Sequence, residues 1–310
     1  MLEQSVIIPT YNRLPMLLRV LEALGHQQSA PSFEVLVIDD GSTDSTNQTL
    51  TSRAEAGTDP FPLHFESQRN SGPGAARNRG VTLARGRRVV FIGDDTVPEP
   101  AFLREHDRFA DNPGSNEMTA CLGYTSWPRD TRVTSFMHHI NDYGLQFGYK
   151  LIRDGEIVPF NFFYTSNISI DRQLMLRFPF DTTFPSAAWE DIELAYRLDK
   201  QGLKIRYNAL ALTRHHHPMT VASFSRRQYT VGRSGAIFYE KHPELGHFLG
   251  VHELNERPLA DDRRLRRMTR SAQLGERFSL FARPSIYEQL MREHYLRGLR
   301  DGLEERKRGE

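Results

Sequence analysis

The sequence predicts an α/β domain on a mostly parallel central sheet flanked by helices, with a helical C-terminal extension. Three observations lead there. Short apolar runs alternate with segments of helical periodicity through the first third of the chain. Each run stops abruptly in a polar cluster, as strands do where a parallel sheet opens toward a ligand. Residues 257–310 carry thirteen arginines and few aromatics.

The elements follow in order. Val6-Ile7-Ile8 is a buried strand that ends at Pro9-Thr10-Tyr11-Asn12. Leu14, Leu17, Leu18, Leu21 and Leu24 then recur at helical spacing, and Gly25 closes that helix. Phe33 to Ile38 is a second strand ending in Asp39-Asp40-Gly41-Ser42, with Asp44 read as the cap of a helix running to about Ala56. Pro62 to Phe65 is a weaker strand, Gly74 to Leu83 a helix, and Arg88 to Ile92 a fourth strand. Residues 111–165, rich in Gly, Pro, Asn and aromatics, read as loops and short strands. Thr165 to Ile170 returns to strand alternation, and Trp189 to Gln201 is a helix that Gly202 stops. Leu203 to Thr213 reads as a strand pair leading into Arg214-His215-His216-His217. The division expected is 1–112 and 113–255 as two halves of one domain, then an arginine-rich helical extension over 256–310.

Composition narrows the class. Hydrophobic residues at 38% and charged residues at 25% are ordinary for a soluble globular chain. A net charge of +1 gives no global pull toward nucleic acid. Cys121, the sole cysteine, excludes an internal disulfide framework and suits a reducing compartment. The N-terminus enters its first strand without the basic and apolar regions of a secretion signal. No run reaches the ~18 apolar residues that would span a bilayer. A cytoplasmic location is expected. The arginine tail leaves contact with anionic lipid at the inner membrane face open, although interspersed acids favour a solvated helical surface. Its sparse aromatics argue against nucleic acid.

Five motifs carry chemistry. Asp94-Asp95 ends a buried strand, where two carboxylates are costly unless something positive lies between them. A divalent cation partnered by a phosphate meets that need, while a surface turn is the plainer alternative. Asp39 and Asp40 exceed what a helix cap requires, so a carboxylate is available to a base edge or ribose. Asn70 to Gly80 is a Gly-rich turn entering a helix, with Arg77 where a dinucleotide loop has its third glycine. Its amides and Arg77 could face a nucleotide or its phosphates, or simply start a helix. In Trp189-Glu190-Asp191 the acids suit a helix dipole, but Trp189 could also stack on a sugar face. Asp191 could then take a proton from an attacking hydroxyl. On an extended strand His215 and His217 share a face while His216 points away. An imidazole added to a carboxylate and a diphosphate makes an Mn2+ site; surface decoration is the alternative.

Read in order, these blocks resemble the family-two glycosyltransferases of the GT-A fold. The resemblance rests on Val6 to Arg13, Val37 to Asp44, Asn70 to Gly80, Gly93 to Pro98, Asn167-Ile168-Ser169, Phe180-Asp181, Trp189 to Leu194 and His215. It implies a nucleotide-diphosphate sugar donor (a UDP-sugar favoured), Mn2+ or Mg2+, and inversion at the anomeric carbon. It further implies that Pro9, Thr10, Tyr11, Asn12 and Asp40 line the nucleoside pocket, with Arg77 near the base or phosphates. Asp94 would approach the ribose or the metal's water shell, and Asp95 would ligate the metal with His215 or His217. Asp191 would be the base, Glu190 would shape the acceptor site and Trp189 would contact the acceptor. The acceptor would be a hydroxyl of a sugar, a lipid-linked sugar or another molecule, in glycan, polysaccharide or glycolipid biosynthesis. One departure is Gly93, where many members carry an acid. Two rivals remain. A nucleotidyltransferase is expected to have a Gly-rich loop with a basic residue after its first strand, which Pro9-Thr10-Tyr11-Asn12 is not. A non-catalytic nucleotide-sugar-binding scaffold protein is the other.

Overall fold

The computed structural model describes residues 2–110 and 114–309. In chain order the elements begin with β1 (Gln4–Thr10), α1 (Leu14–Gly25), β2 (Phe33–Asp39), α2 (Thr46–Ala56), β3 (Leu63–Ser67), α3 (Pro73–Leu83) and β4 (Arg88–Ile92). They continue with β5 (Thr96–Pro98), α4 (Phe102–Ala110), β6 (Thr119–Ser126), α5 (Ser135–Asp142), β7 (Ile157–Val158), β8 (Asn167–Asp171) and α6 (Arg172–Arg177). The last are α7 (Glu190–Asp199), β9 (Lys204–His215), α8 (Val221–Lys241), α9 (Val251–Glu256), α10 (Asp262–Arg277) and α11 (Pro284–Gly309). They form two compact units, Met1–Asp130 with Ile152–His217, and Thr131–Leu151 with Pro218–Glu310.

The first unit holds one mixed sheet in the order β3-β2-β1-β4-β8-β6-β9-β5, with β7 on β9. β1 to β4 are mutually parallel, so Thr10, Asp39 and Ile92 end on the same edge. Alternation decides the packing. Val6, Ile8, Val35, Val37, Val90 and Ile92 meet Leu17, Leu21 and Leu24 of α1 in one fully buried cluster. The side chain between them, Ile7, points to the opposite face, where α3 approaches so closely that a Cβ on Gly80 would stand 2.5 Å from Ile7 Cγ2. Helices on both faces of an almost entirely apolar set of strands are what the sequence pattern required.

Four details differ from expectation. Residues 111–165 contain a full eight-residue strand, β6, and the helix α5. The expected strand pair after Leu203 is one twelve-residue strand, β9. Ser45, not Asp44, is the residue before α2, although Asp44 Oδ1 still accepts from the Thr46 N–H at 3.0 Å. Trp189 precedes α7 rather than opening it.

β9 stays continuous because its irregularity is internally satisfied. β6 and β9 lose register between Gly123 and Tyr124, which releases backbone carbonyls into the core. Asn167, fully buried, donates from Nδ2 to Tyr124 O (3.1 Å), Ala211 O (2.8 Å) and Thr213 Oγ1 (3.2 Å). Its Oδ1 pairs with His106 Nε2 at 3.0 Å. Burial holds the His106 ring far down, at about 3, so at neutral pH it is an uncharged hydrogen-bonding wedge. This knot satisfies the bulge without a charge and carries β9 on to His215.

The second unit is helical. α8 and α11 pack backbone to backbone through Gly232, Gly298 and Gly302. A Cβ on Gly298 would collide with the Tyr229 carbonyl oxygen, and one on Gly302 would stand 3.0 Å from Arg233 O. Rigid carbonyls cannot yield as a side-chain tip can. Gly298→Ala should therefore cost about 3 kcal/mol or more of stability, read as a lower urea midpoint. A midpoint equal to wild type would mean that the two helices do not approach this closely.

Candidate functional site

The parallel strands deliver two polar groups to one edge of the sheet, and a third gathers at the start of α7. In the first, Asp94 and Asp95 leave β4 in a tight turn closed by Gly93 N–H donating to Thr96 Oγ1 at 3.0 Å. A Cβ at position 93 would stand 2.6 Å from Thr96 Oγ1 and 2.9 Å from Asp95 Oδ1, so this turn has no room for an acid there. Asp94 accepts from Thr10 Oγ1 at 2.9 Å and from Arg13 Nη1 at 3.2 Å. Asp95 Oδ2 is bound by the same Arg13 nitrogen, and His215 Nε2 and His217 Nδ1 each stand 3.6 Å from it. The two imidazoles stack 5.8 Å apart, with Trp127 stacked on the far side of His215. His216 takes part through its backbone alone, its N–H donating to the Asp95 carbonyl.

Electrostatics separates the two carboxyls. Burial, then the charge of Asp95, raises Asp94 to about 6. Burial also raises Asp95, but His215, Arg13 and His217 outweigh it and hold Asp95 well below the usual carboxylate range. Asp95 is thus the permanent anion of the pair. Its oxygen and the two imidazole nitrogens are chemically the donor kind that Mn2+ takes. Among the described residues, however, no three His, Cys, Asp or Glu side chains stand in a metal-holding arrangement. Arg13, bound to both carboxyls, is the positive group that lies between them. The sequence reading missed Arg13 because its partners lie 81 and 82 residues away.

The second group joins the loops after β1, β2 and β3. Asn12, held at φ 54°, receives the Thr43 and Asp44 N–H groups on its Oδ1 at 2.7 and 3.2 Å. Asp39 accepts from Ser42 N and Ser67 Oγ, each at 2.9 Å. Asp40 accepts from Gln68 Nε2 (2.8 Å), Ser71 N (2.9 Å) and Gly72 N (2.9 Å). These residues brace the loops with their side chains, while Pro9 is half-buried and Tyr11 is exposed.

The third group surrounds the start of α7. Trp189 is in the left-handed region at φ 72°, which is strained for a bulky side chain. The Arg77 Nη1 donates to Glu190 Oε1 at 2.8 Å, with only 7% of Arg77 and 2% of Glu190 exposed. Arg77 thus faces the α7 acids across 113 residues of sequence. Asp191, half-buried, receives the Ile192 N–H on Oδ1 at 2.9 Å and stands 3.4 Å from Thr165 N and Oγ1 through Oδ2. Burial, then the adjacent Glu190 charge, raises Asp191 to about 7, against a lowering pull from Arg77.

The strand register relates the first and third groups. β8 runs antiparallel to β4 with Asn167 opposite Ile92. Thr165, two residues before Asn167, and Asp94, two residues after Ile92, therefore leave adjacent strands at the same edge. Neighbouring strands lie about 4.8 Å apart. Asp191, bound at Thr165, and the Asp94–Asp95–histidine cluster thus belong to one rim.

A mixed sheet whose parallel half ends in acidic loops, flanked by helices, defines the class of fold, GT-A. The chain matches Glycosyl transferase family 2 over residues 5–173, and it belongs to that family. Validoxylamine A glucosyltransferase of Streptomyces hygroscopicus subsp. limoneus is 27% identical over 276 residues, 78% of this chain and 57% of that protein. A second validoxylamine A glucosyltransferase, from subsp. jinggangensis, is 26% identical, with 61% of its length covered. The chain therefore spans about three fifths of these relatives. The mannosyltransferase PcManGT of Pyrobaculum calidifontis, solved with GDP-Man and Mn2+, superposes with a TM-score of 0.65 at 19% identity, covering 98% of this chain and 88% of that one. S. aureus TarS 1-349 with UDP-GlcNAc gives 0.55 at 18% identity, covering 100% and 93%. At these identities the superpositions establish the fold.

Proposed function

We propose that this chain is an inverting glycosyltransferase that moves a sugar from a nucleotide-diphosphate donor, a UDP-sugar favoured, to an acceptor hydroxyl in glycan, polysaccharide or glycolipid synthesis. The observation that carries the reading is the shared rim. A carboxyl poised near neutrality, Asp191, lies at the same sheet edge as a permanently anionic acid and two imidazoles. Asp191 accepts the proton of the attacking hydroxyl, for which a pKa near the working pH is the efficient choice. Thr165 and the Ile192 N–H orient it, and the Glu190–Arg77 pair behind it sets its basicity. Trp189 offers an aromatic face to the acceptor, and Pro9, Thr10, Tyr11, Asn12 and Asp40 shape the nucleoside pocket.

Asp95, with His215 and His217, would hold a divalent cation, Mn2+ or Mg2+, with Asp94 next to it. When bound, such a cation neutralises the charge of the departing diphosphate. Support for this part is the donor chemistry of the three side chains.

The test is a panel of nucleotide sugars with Mn2+, followed by thermal shift and by release of nucleoside diphosphate. A UDP-sugar should raise the melting temperature, by the logarithm of its excess over Kd, and should be turned over. Binding without diphosphate release would make the chain a nucleotide-sugar-binding protein. No binding by any member would refute the donor site.

A further inference from the structure

Several acids of the C-terminal segment are engaged away from the α10 arginines in the folded helical unit. Glu276 faces inward and accepts from Val221 N at 3.0 Å. Glu293 is held by Arg257 and by Ala260 N, and Glu253 by Arg257 and Arg292. On α10 the buried side is Met268, Ala272 and Gly275. The opposite side, at spacings of three and four, is Arg263, Arg266, Arg267, Arg270, Leu274 and Arg277, all exposed. Asp262, four residues before Arg266, stands at the N-terminal end of that stripe, and from Arg263 to Arg277 the stripe carries five arginines and no carboxylate.

The stripe runs into an exposed apolar turn. Phe278 and Phe281 are 47% and 50% exposed, and Leu280 is 89% exposed. This turn is built rather than loose: Phe281 N donates to Phe278 O at 2.9 Å and Ala282 N to Ser279 O at 3.0 Å. Its base is fixed where Gly275 packs on Ala282, a Cβ there meeting Ala282 Cα at 2.8 Å, and Ser135 Oγ donates to Gly275 O at 2.9 Å. An ordered turn that holds three large apolar side chains in water gains nothing by itself.

We propose that α10 and the 278–281 turn form a docking surface for an anionic lipid bilayer. The arginine stripe lies along the headgroups, and Phe278, Leu280 and Phe281 enter the acyl boundary. Charge complementarity matches the arginine-rich stripe to anionic headgroups. The apolar turn favours lipid over nucleic acid, because a phosphate backbone offers Leu280 nothing to be buried in. Among the described residues no helix is long and apolar enough to cross a membrane, so attachment here is to one surface.

The test is co-sedimentation of the full chain with vesicles of phosphatidylcholine, alone or with about a third phosphatidylglycerol. Partition onto the anionic vesicles should exceed that onto the neutral ones by roughly ten-fold or more, and should fall with added salt. Arg266→Gln with Arg270→Gln should weaken it by about twenty-five-fold, five-fold for each charge. Leu280→Asp with Phe281→Asp should weaken it by roughly ten-fold or more. Both pairs are exposed, so melting temperatures should match wild type and keep the comparison clean. Equal partition onto both vesicle types, or undiminished binding by the Leu280/Phe281 variant, would overturn the proposal. So would duplex-DNA binding that outcompetes the vesicles, or a dimer in sedimentation velocity that the Leu280/Phe281 variant dissolves.

Discussion

Asp191→Asn is expected to lower kcat by about 10²–10⁴-fold while leaving donor affinity and fold in place. The amide keeps one acceptor oxygen for the Ile192 N–H and its NH2 can donate to Thr165 Oγ1, so the substitution forfeits only the long 3.4 Å contact from Thr165 N and the start of α7 keeps its shape. What disappears is the one proton acceptor at this rim that is both partly accessible and raised to about 7. The proposed donor side, Asp94, Asp95 and the loops after β1 and β2, makes its hydrogen bonds without this carboxylate. Calorimetry with the nucleotide sugar and turnover by diphosphate release therefore read two separate properties. A variant that keeps kcat within a few-fold of wild type would remove Asp191 from the role of base. One that loses donor binding as well would show that the acid shapes the donor pocket.

Arg77→Met should destabilise the protein by about 3–5 kcal/mol, because it strands the nearly inaccessible Glu190 carboxylate without its cation. Arg77→Met with Glu190→Gln should recover most of that loss, since the buried charge leaves with its partner. Urea unfolding of the two single variants and the double variant closes the cycle. The same pair makes a kinetic prediction with a definite sign. Glu190 raises the Asp191 pKa and Arg77 lowers it, so Glu190→Gln should move the rising limb of the pH–rate profile to lower pH. A stability loss under ~1 kcal/mol for Arg77→Met would mean that solvent reaches the pair.

The parallel half of the sheet was legible because its strands announce themselves locally. Val6-Ile7-Ile8, Val35 to Ile38 and Val89 to Ile92 are uniformly apolar since both faces are covered, and each stops at a polar block where the sheet ends. His215 and His217 both stand near Asp95, as two-residue alternation anticipates, although β9 itself ends at His215. β6 and α5 were not legible. Their burial is set by partners far along the chain: at Gly123 in β6, Asn167 Oδ1 and the Ala211 carbonyl occupy the space a Cβ would need. Arg13 and Arg77 illustrate the same limit. Arg13 neutralises an acid that the sequence marks as costly and Arg77 one that it reads as complementing a helix dipole, yet nothing local pairs Arg13 with Asp95 or Arg77 with Glu190. The arginine stripe was obscured for a simpler reason: Glu276, adjacent in sequence to Arg277, turns inward to Val221 N once α10 is wound.

The pH dependence of nucleoside-diphosphate release from the nucleotide sugar, wild type beside Asp191→Asn, bears most directly on the shared rim. From about pH 5 the wild-type rate should climb close to ten-fold per unit, because only the ionised carboxyl accepts a proton, and level off above the Asp191 pKa of about 7. The asparagine variant should be slow and without that limb. A wild-type profile that is flat across this range, or a variant that retains the same rise, would contradict the account.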